Sequence, residues 1–311
     1  MPTTMELRPR NPIARAFGGR IPTAAGRTTL AVIFNASTAS SFSHSPPNSA
    51  GAVPAYTPGG TAAQSPGANT TSLSVGGKRG LAYNTASLTD VFAGKGMSWA
   101  YNWAADPTGT IVTGAEYVPM LWGPDQSTTW AALAAAAFSA GSRHALSFNE
   151  PDHGAQSNLE PSLAAAKHIE HMNPLPSEMS IGSPAITNGG SESPPMGIVW
   201  LREFLQHCQG ACRLDFVAFH WYDSASNFPY FQQHVWDVIN VTQAANVERV
   251  WLTEFGASGS DSEVASFVRR AIDFLDSTGA VERYAYFMCA DGLLVSSNSI
   301  SSPIGETYAE V

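Results

Sequence analysis

Residues 249–288 read RVWLTEFGASGSDSEVASFVRRAIDFLDSTGAVERYAYFM. A short apolar run (RVWLTE, 249–254) ends on an acid, and a second (RYAYFM, 283–288) closes the stretch. Between them Ser260 and Asp261 offer helix N-caps, and Val264, Phe267, Val268, Ala271, Phe274 and Leu275 recur at spacings of three and four. Gly279 then supplies a stop signal. The stretch is a strand, an amphipathic helix and a second strand.

The same rhythm runs outward from it. Apolar runs at 79–83, 97–101, 116–121, 144–149, 178–183, 215–220, 249–254 and 283–288 are the expected strands. Helices are expected at 128–140, 160–173, 197–208, 229–244 and 262–277, while the connections after the first two strands are short and irregular. Eight βα-type repeats in about 230 residues fit an α/β fold, a compact (β/α)8 TIM barrel. An open doubly wound sheet is the alternative. It normally carries a glycine-rich phosphate loop after the first strand, and VGGKRG (75–80) fits neither G-x-x-x-x-G-K-[ST] nor G-x-G-x-x-G.

The chain has 311 residues, 44% hydrophobic and 13% charged, with a formal net charge of −9. Its acidic balance argues against a nucleic-acid partner, which requires a basic face for phosphates. No apolar run approaches the roughly 20 residues of a membrane-spanning helix. Residues 1–77 stand apart, with five Arg against the single acid Glu6 and a Ser, Thr, Ala, Pro and Gly-rich composition. That segment is expected to be a disordered region preceding the 78–311 domain. Within it, TTLAVIF (28–34) is shorter than the apolar core of an ordinary secretion signal and lies far from Met1. Asn35, Asn69 and Asn240 occupy N-x-[ST] sequons, usable only in the secretory pathway.

In a barrel, side chains at the C-terminal strand ends share one open mouth. The polar residues there are Asn84, Asn102, Asn149, Glu150, His220, Tyr222 and Glu254. Two carboxyls therefore reach one site from the fourth and seventh strands. Glycoside hydrolysis needs such a pair, one protonating the leaving oxygen and the other attacking the anomeric carbon or activating water. A single strand-end glutamate is more simply a loop carboxylate. Two of them, each closing an apolar run within NEPD and TEFG, outweigh that reading. Trp99, Trp103 and Trp122 offer flat rings for stacking on sugars, with core packing the equal alternative for each. Alternation along the sixth strand puts Phe216, Ala218, His220 and Tyr222 on one face and Val217, Phe219 and Trp221 on the other. If the first set faces inward, His220 borders the carboxyl pair and Trp221 packs beneath the helices.

Other chemistries fit poorly. There is no H-E-x-x-H, C-x-x-C or G-x-S-x-G motif, so neither a metal centre nor a serine hydrolase is expected, and no cofactor. Cys208 and Cys212 bracket a flexible loop that a disulfide could close in an oxidising compartment, leaving Cys289 a buried thiol.

KRGLAYN (78–84), SWAYNW (98–103), NEPD (149–152), DFVAFHWYD (215–223), WLTEFG (251–256) and SSPIGETYAEV (301–311) together resemble glycoside hydrolase family 128, fungal and bacterial endo-β-1,3-glucanases that include fungal wall proteins. The likeness covers 78–311. It implies retaining, endo-acting cleavage of β-1,3-glucan, with Glu150 as acid/base and Glu254 as nucleophile. Asn149 resembles the residue contacting the sugar beside the scissile bond, and His220 and Tyr222 match the motif lining the site. Asn102 and the tryptophans match glucan-contacting positions. The role demands a protonated Glu150, raised by its environment, beside an ionised Glu254. An extracellular or wall-bound monomer is expected. The alternatives are a glucan-binding wall protein without turnover, or a barrel glycosidase acting on β-1,6-glucan or β-mannan.

Overall fold

A computed structural model describes residues 77–310. The segment expected to be disordered therefore lies, but for Gly77, outside the described residues.

The strands are β1 (Arg79–Tyr83), β2 (Trp99–Tyr101), β3 (Glu116–Tyr117), β4 (His144–Ala145), β5 (Ser180–Ile181), β6 (Val217–Ser224), β7 (Val250–Ser258) and β8 (Val281–Cys289). The helices are α1 (Ser127–Ser139), α2 (Pro161–His171), α3 (Ile198–Cys208), α4 (Phe228–Ala244) and α5 (Asp261–Ser277). As expected, only a 3-10 helix (Ala86–Phe92) follows β1, and no helix follows β2. A small hairpin, β9 (Val295–Ser296) with β10 (Ser299–Ile300), leads into the closing helix α6 (Ile304–Ala309).

Among β1–β8, regular pairing is parallel throughout but covers six strands in one sheet, in the order β3-β2-β1-β8-β7-β6, with β4 and β5 as a separate parallel pair. Single parallel bridges, Met120 to Leu146 and Gly182 to Phe216, relate that pair to β3 and β6. This is the neighbour order of a TIM-like α/β fold.

β3, β4 and β5 are shorter than the apolar runs that predict them, and side chains explain where the ladder lapses. Pro119 has no N–H to donate. The Ile181 N–H donates to the Asp215 carboxylate at 2.8 Å, and the Ala218 N–H donates to Ser183 Oγ at 3.0 Å. Hydrophobicity marks the run; it does not reveal that a hydroxyl or carboxylate will replace a strand carbonyl.

Two apolar clusters lie on opposite faces of the strands. One packs the strands against the helices, with Trp221 stacked on Phe267 at 5.2 Å and edge-on to Phe231. The other gathers the alternate strand residues, among them Trp99, Tyr101, Phe216 and Trp251. Its base is an aromatic floor in which Phe216 stacks on Trp251 at 4.1 Å and Trp99 meets Trp251 at 5.0 Å. Glycine makes room for it. A Cβ on Gly80 would lie 2.3 Å from the Trp99 ring, and one on Gly182 would lie 2.5 Å from Phe216. The closing SSPIGETYAEV run is likewise structural, since the Tyr308 hydroxyl donates to the Gly80 carbonyl at 2.7 Å.

Beneath the floor, Glu116 accepts from the backbone N–H groups of Arg143 and His144, at 2.7 and 3.0 Å, and pairs with Arg283 at 2.7 Å. Burial pushes its carboxyl up, yet His144 and Arg283 together hold it down to about 2. A depressed carboxyl stabilises the fold above its unfolded value and loses that contribution as pH falls toward 2. Glu116→Gln is therefore expected to cost about 1–3 kcal/mol at pH 7, with the deficit shrinking below about pH 4.5. Urea unfolding of both proteins across that range measures it.

Candidate active site

β7 departs from simple alternation at the residue that matters most. Phe219 of β6 pairs with Leu252, but His220 pairs with Glu254, so Thr253 is an extra residue in β7. Trp251 points to the inner cluster and Leu252 to the helices. Unbroken alternation would put Thr253 inside and Glu254 under the helices. The bulge lets both Thr253 and Glu254 face the inner side, and Phe255 returns to the helix side against Phe267 and Tyr286.

Glu150 arrives from the turn beyond β4. Its N–H donates to Ala185 O at 2.8 Å, and its backbone is left-handed, with φ 40°. Trp103, beyond β2, is also left-handed, with φ 56°. Non-glycine residues in this region carry strain that surrounding contacts must hold, and such positions cluster at active sites.

His220 joins the two carboxyls. Its Nδ1 lies 2.9 Å from Glu150 Oε1, and its Nε2 lies 3.0 Å from Thr253 Oγ1 and 3.4 Å from Glu254 Oε1. One oxygen of each carboxyl and one His220 nitrogen lie within 4.8 Å of one another. These are metal-ligand types. With both ring nitrogens turned to protein oxygens, however, the imidazole has no lone pair directed at an ion. Trp103 Nε1 donates to Glu254 Oε1 at 2.7 Å, the Tyr222 hydroxyl donates to Oε2, and the Tyr101 hydroxyl donates to Thr253 O at 3.0 Å and reaches Oε1 at 3.5 Å.

Burial pushes the Glu254 carboxyl above its ordinary value, and the Glu150 charge adds to that. The His220 charge and the Tyr222 and Trp103 donors pull it back without cancelling the rise. Glu254 is the more enclosed carboxyl, with 7% of its side chain exposed against 13% for Glu150. Burial also pushes His220 down, but the charges of Glu254 and Glu150 outweigh it and hold the imidazole above its usual value. Tyr101 and Tyr222 are pushed well up, chiefly by burial and then by the carboxylates, and stay neutral donors.

Five of the residues singled out in the sequence thus form one hydrogen-bonded cluster: Glu150, His220, Tyr222, Glu254 and Trp103. The others are placed differently. Trp99 is fully buried in the aromatic floor, its Nε1 donating to Lys78 O at 3.2 Å, so it presents no face to a sugar. Asn102 donates to Asp106 O at 2.9 Å and accepts from the Tyr117 hydroxyl at 2.8 Å, which knits the loop carrying Trp103. Asn84 is exposed at the end of β1, within 3.9 Å of Met288 Sδ. Trp122 is half-buried, and its carbonyl accepts from Asn149 N at 2.9 Å. Asn149 is buried, with Oδ1 lacking any partner. Cys208 and Cys212 are disulfide-bonded and Cys289 is a buried thiol pushed up to about 12 by burial. Sequence reading missed Tyr101 and Thr253. Tyr101 was legible, sharing the inward alternation of Trp99 and Trp103; Thr253 was hidden by the bulge.

The glycosyl hydrolase catalytic core family matches residues 80–308. A crystal structure of a family 128 (subgroup III) curdlan-specific exo-β-1,3-glucanase from Blastomyces gilchristii, in complex with glucose, is 40% identical, with a TM-score of 0.72. The match covers 75% of this chain and 98% of that one. The chain belongs to glycoside hydrolase family 128. A subgroup I endo-β-1,3-glucanase of the same family, from Amycolatopsis mediterranei with laminarihexaose, is 31% identical, with a TM-score of 0.64 over 75% of this chain and 99% of that one. Alkali-sensitive linkage protein 1 of Schizosaccharomyces pombe is 33% identical over 258 residues, 76% of this chain but only 45% of that protein. As a family 128 member the chain is a glycoside hydrolase. Among the described residues, no helix is long and apolar enough to cross a membrane.

A histidine held above its unfolded value contributes stability that is full below about pH 6.5 and is lost as pH rises through its folded value. His220→Gln should therefore destabilise the protein more at pH 6 than at pH 9. Denaturant midpoints of both proteins at the two pH values give the comparison.

Proposed function

We propose that the protein hydrolyses β-1,3-glucan with retention, Glu254 acting as nucleophile and Glu150 as acid/base. The supporting observation is the asymmetry between two carboxyls whose oxygens lie within 4.8 Å. That close approach supports the retaining arrangement, whose carboxyl groups stand about 5–5.5 Å apart, over the wider spacing of the inverting one. Both Glu254 oxygens receive donors, from Trp103 and Tyr222, which fixes the carboxylate for attack and favours its ionised form against burial. Glu150 has one side-chain partner, His220, and is the more open of the two, as suits a group that exchanges protons with a leaving group and with water.

In the first step Glu254 attacks the anomeric carbon while Glu150 gives its proton to the glycosidic oxygen, the C–O bond breaks and a glycosyl ester forms. In the second, Glu150 takes a proton from water, the water oxygen attacks the same carbon, and the Glu254 carboxylate leaves. The unpartnered Asn149 Oδ1 suits a sugar hydroxyl donor. A neutral glucan needs hydrogen bonds and apolar surface rather than countercharge, so no cofactor enters the scheme. The Cys208–Cys212 bridge fits the extracellular or wall location that we also propose.

Glu254→Gln is expected to bind laminari-oligosaccharides while losing at least about 1,000-fold in kcat. Wild-type turnover in that variant overturns the nucleophile assignment. Glu150→Ala should lose most activity on laminarin but keep the first step on aryl glycosides, whose activated leaving groups need no acid; equal loss on both counts against the acid role. Internal cleavage, the reading from sequence, releases oligosaccharides first from curdlan. Exo action, as in the B. gilchristii relative, releases glucose.

A further inference from the structure

The loop between β5 and α3, residues 187–197 (TNGGSESPPMG), is tied to both sides of the active site. Asp152, two residues after Glu150 in NEPD, is buried and holds both ends of the loop. Its carboxylate accepts from the Thr187 N–H at 3.1 Å, the Thr187 hydroxyl at 2.6 Å and the Gly197 N–H at 2.7 Å. The ends also meet each other. Gly197 has φ +57°, and a Cβ there would lie 2.0 Å from Gly189 O, so the closure admits only glycine. Thr187 Oγ1 additionally accepts from Gly189 N at 3.0 Å.

Asn188 projects from this closed loop onto β6. Its Oδ1 accepts from Tyr222 N at 3.1 Å and its Nδ2 donates to Tyr222 O at 3.1 Å, so one side-chain amide grips both backbone groups of Tyr222 as a neighbouring strand would. It is further held by Tyr230, whose hydroxyl donates to Asn188 O at 3.0 Å. Tyr222 in turn gives its hydroxyl to Glu254 Oε2. The β6 ladder is served on its other edge by β7, so the amide supplies the pairing that β5 is too short to give.

We infer that Asn188 is a positioning residue for the hydrolytic reaction: anchored through Thr187 to Asp152, it sets the Tyr222 backbone and thereby aims the Tyr222 hydroxyl at Glu254. The loop thus couples the turn that carries Glu150 to the placement of Glu254, across separate strands. The inference rests on the reading of Glu254 as nucleophile. The titratable groups that face Glu254 are Tyr101 from β2, Glu150 from the turn after β4, and His220 and Tyr222 from β6, with Trp103 donating beside them. Of these, only Tyr222 is gripped by Asn188. Loss of its hydrogen bond lets the Glu254 carboxyl rise, so the low-pH limb of kcat/KM moves to higher pH.

The test is a double-mutant cycle. Asn188→Ala is expected to lower kcat about tenfold, the equivalent of one mispositioned hydrogen bond, with little change in KM and an upward shift of the acidic limb. Thr187→Val, which keeps volume and loses only the hydroxyl, should shift both in the same direction by less. Tyr222→Phe should show the Asn188→Ala effects by itself. In the Tyr222→Phe background, Asn188→Ala should then add almost nothing. Full additivity, or an Asn188→Ala loss confined to thermal stability with an unmoved pH limb, overturns the inference. A Glu254→Gln variant with wild-type turnover sinks the reading beneath it instead, so the two failures are distinguishable.

Discussion

One extra residue in β7 decides what this fold can do. Thr253 is accommodated without a partner in β6, and the half-turn it introduces brings Glu254 inward when alternation from Trp251 would have buried it under α4 and α5. An ionisable group placed there among Phe231, Phe255 and Phe267 would have no partner, at a cost of several kcal/mol. Turned inward, it finds Trp103, Tyr222, Tyr101 and His220. The bulge therefore converts a costly side chain into a site.

What surrounds that carboxyl is a balance between burial and donors. The aromatic floor of Trp99, Phe216 and Trp251 seals the cluster from below and leaves it open on the side where Glu150 is reached. Low polarisability strengthens each interaction above the floor, both the repulsion between the two acids and the attraction of each for His220. A shared imidazole between paired carboxyls tempers the repulsion while leaving both acids oxygen atoms to use. The left-handed backbones at Glu150 and Trp103 show that the positions are imposed by the frame rather than preferred locally.

Much of this was legible in the residues. Helix α5 was readable almost to the residue because its caps and its apolar spacing agree, and the structure adds a reciprocal capping box between Ser260 and Glu263. The α/β class and the chain order of the eight strands followed from the repeated strand–helix rhythm. The lengths of β3, β4 and β5 were not legible, because the N–H groups of His144, Ile181 and Ala218 donate to Glu116, Asp215 and Ser183, and no periodicity records which acceptor a backbone N–H will choose. At the site, residue types at strand ends found Glu150, His220, Tyr222 and Glu254. They could not separate Trp103, which donates to a carboxylate, from Trp99, which fills the floor, since both fall on the same alternation through β2 and just beyond it.

The central proposal is that Glu254 attacks the anomeric carbon directly, so that hydrolysis retains its configuration. Proton NMR of the sugar released in the first minutes of laminari-oligosaccharide hydrolysis, before mutarotation, tests it most directly. The account predicts that the newly formed reducing end appears as the β-anomer; initial formation of the α-anomer contradicts it.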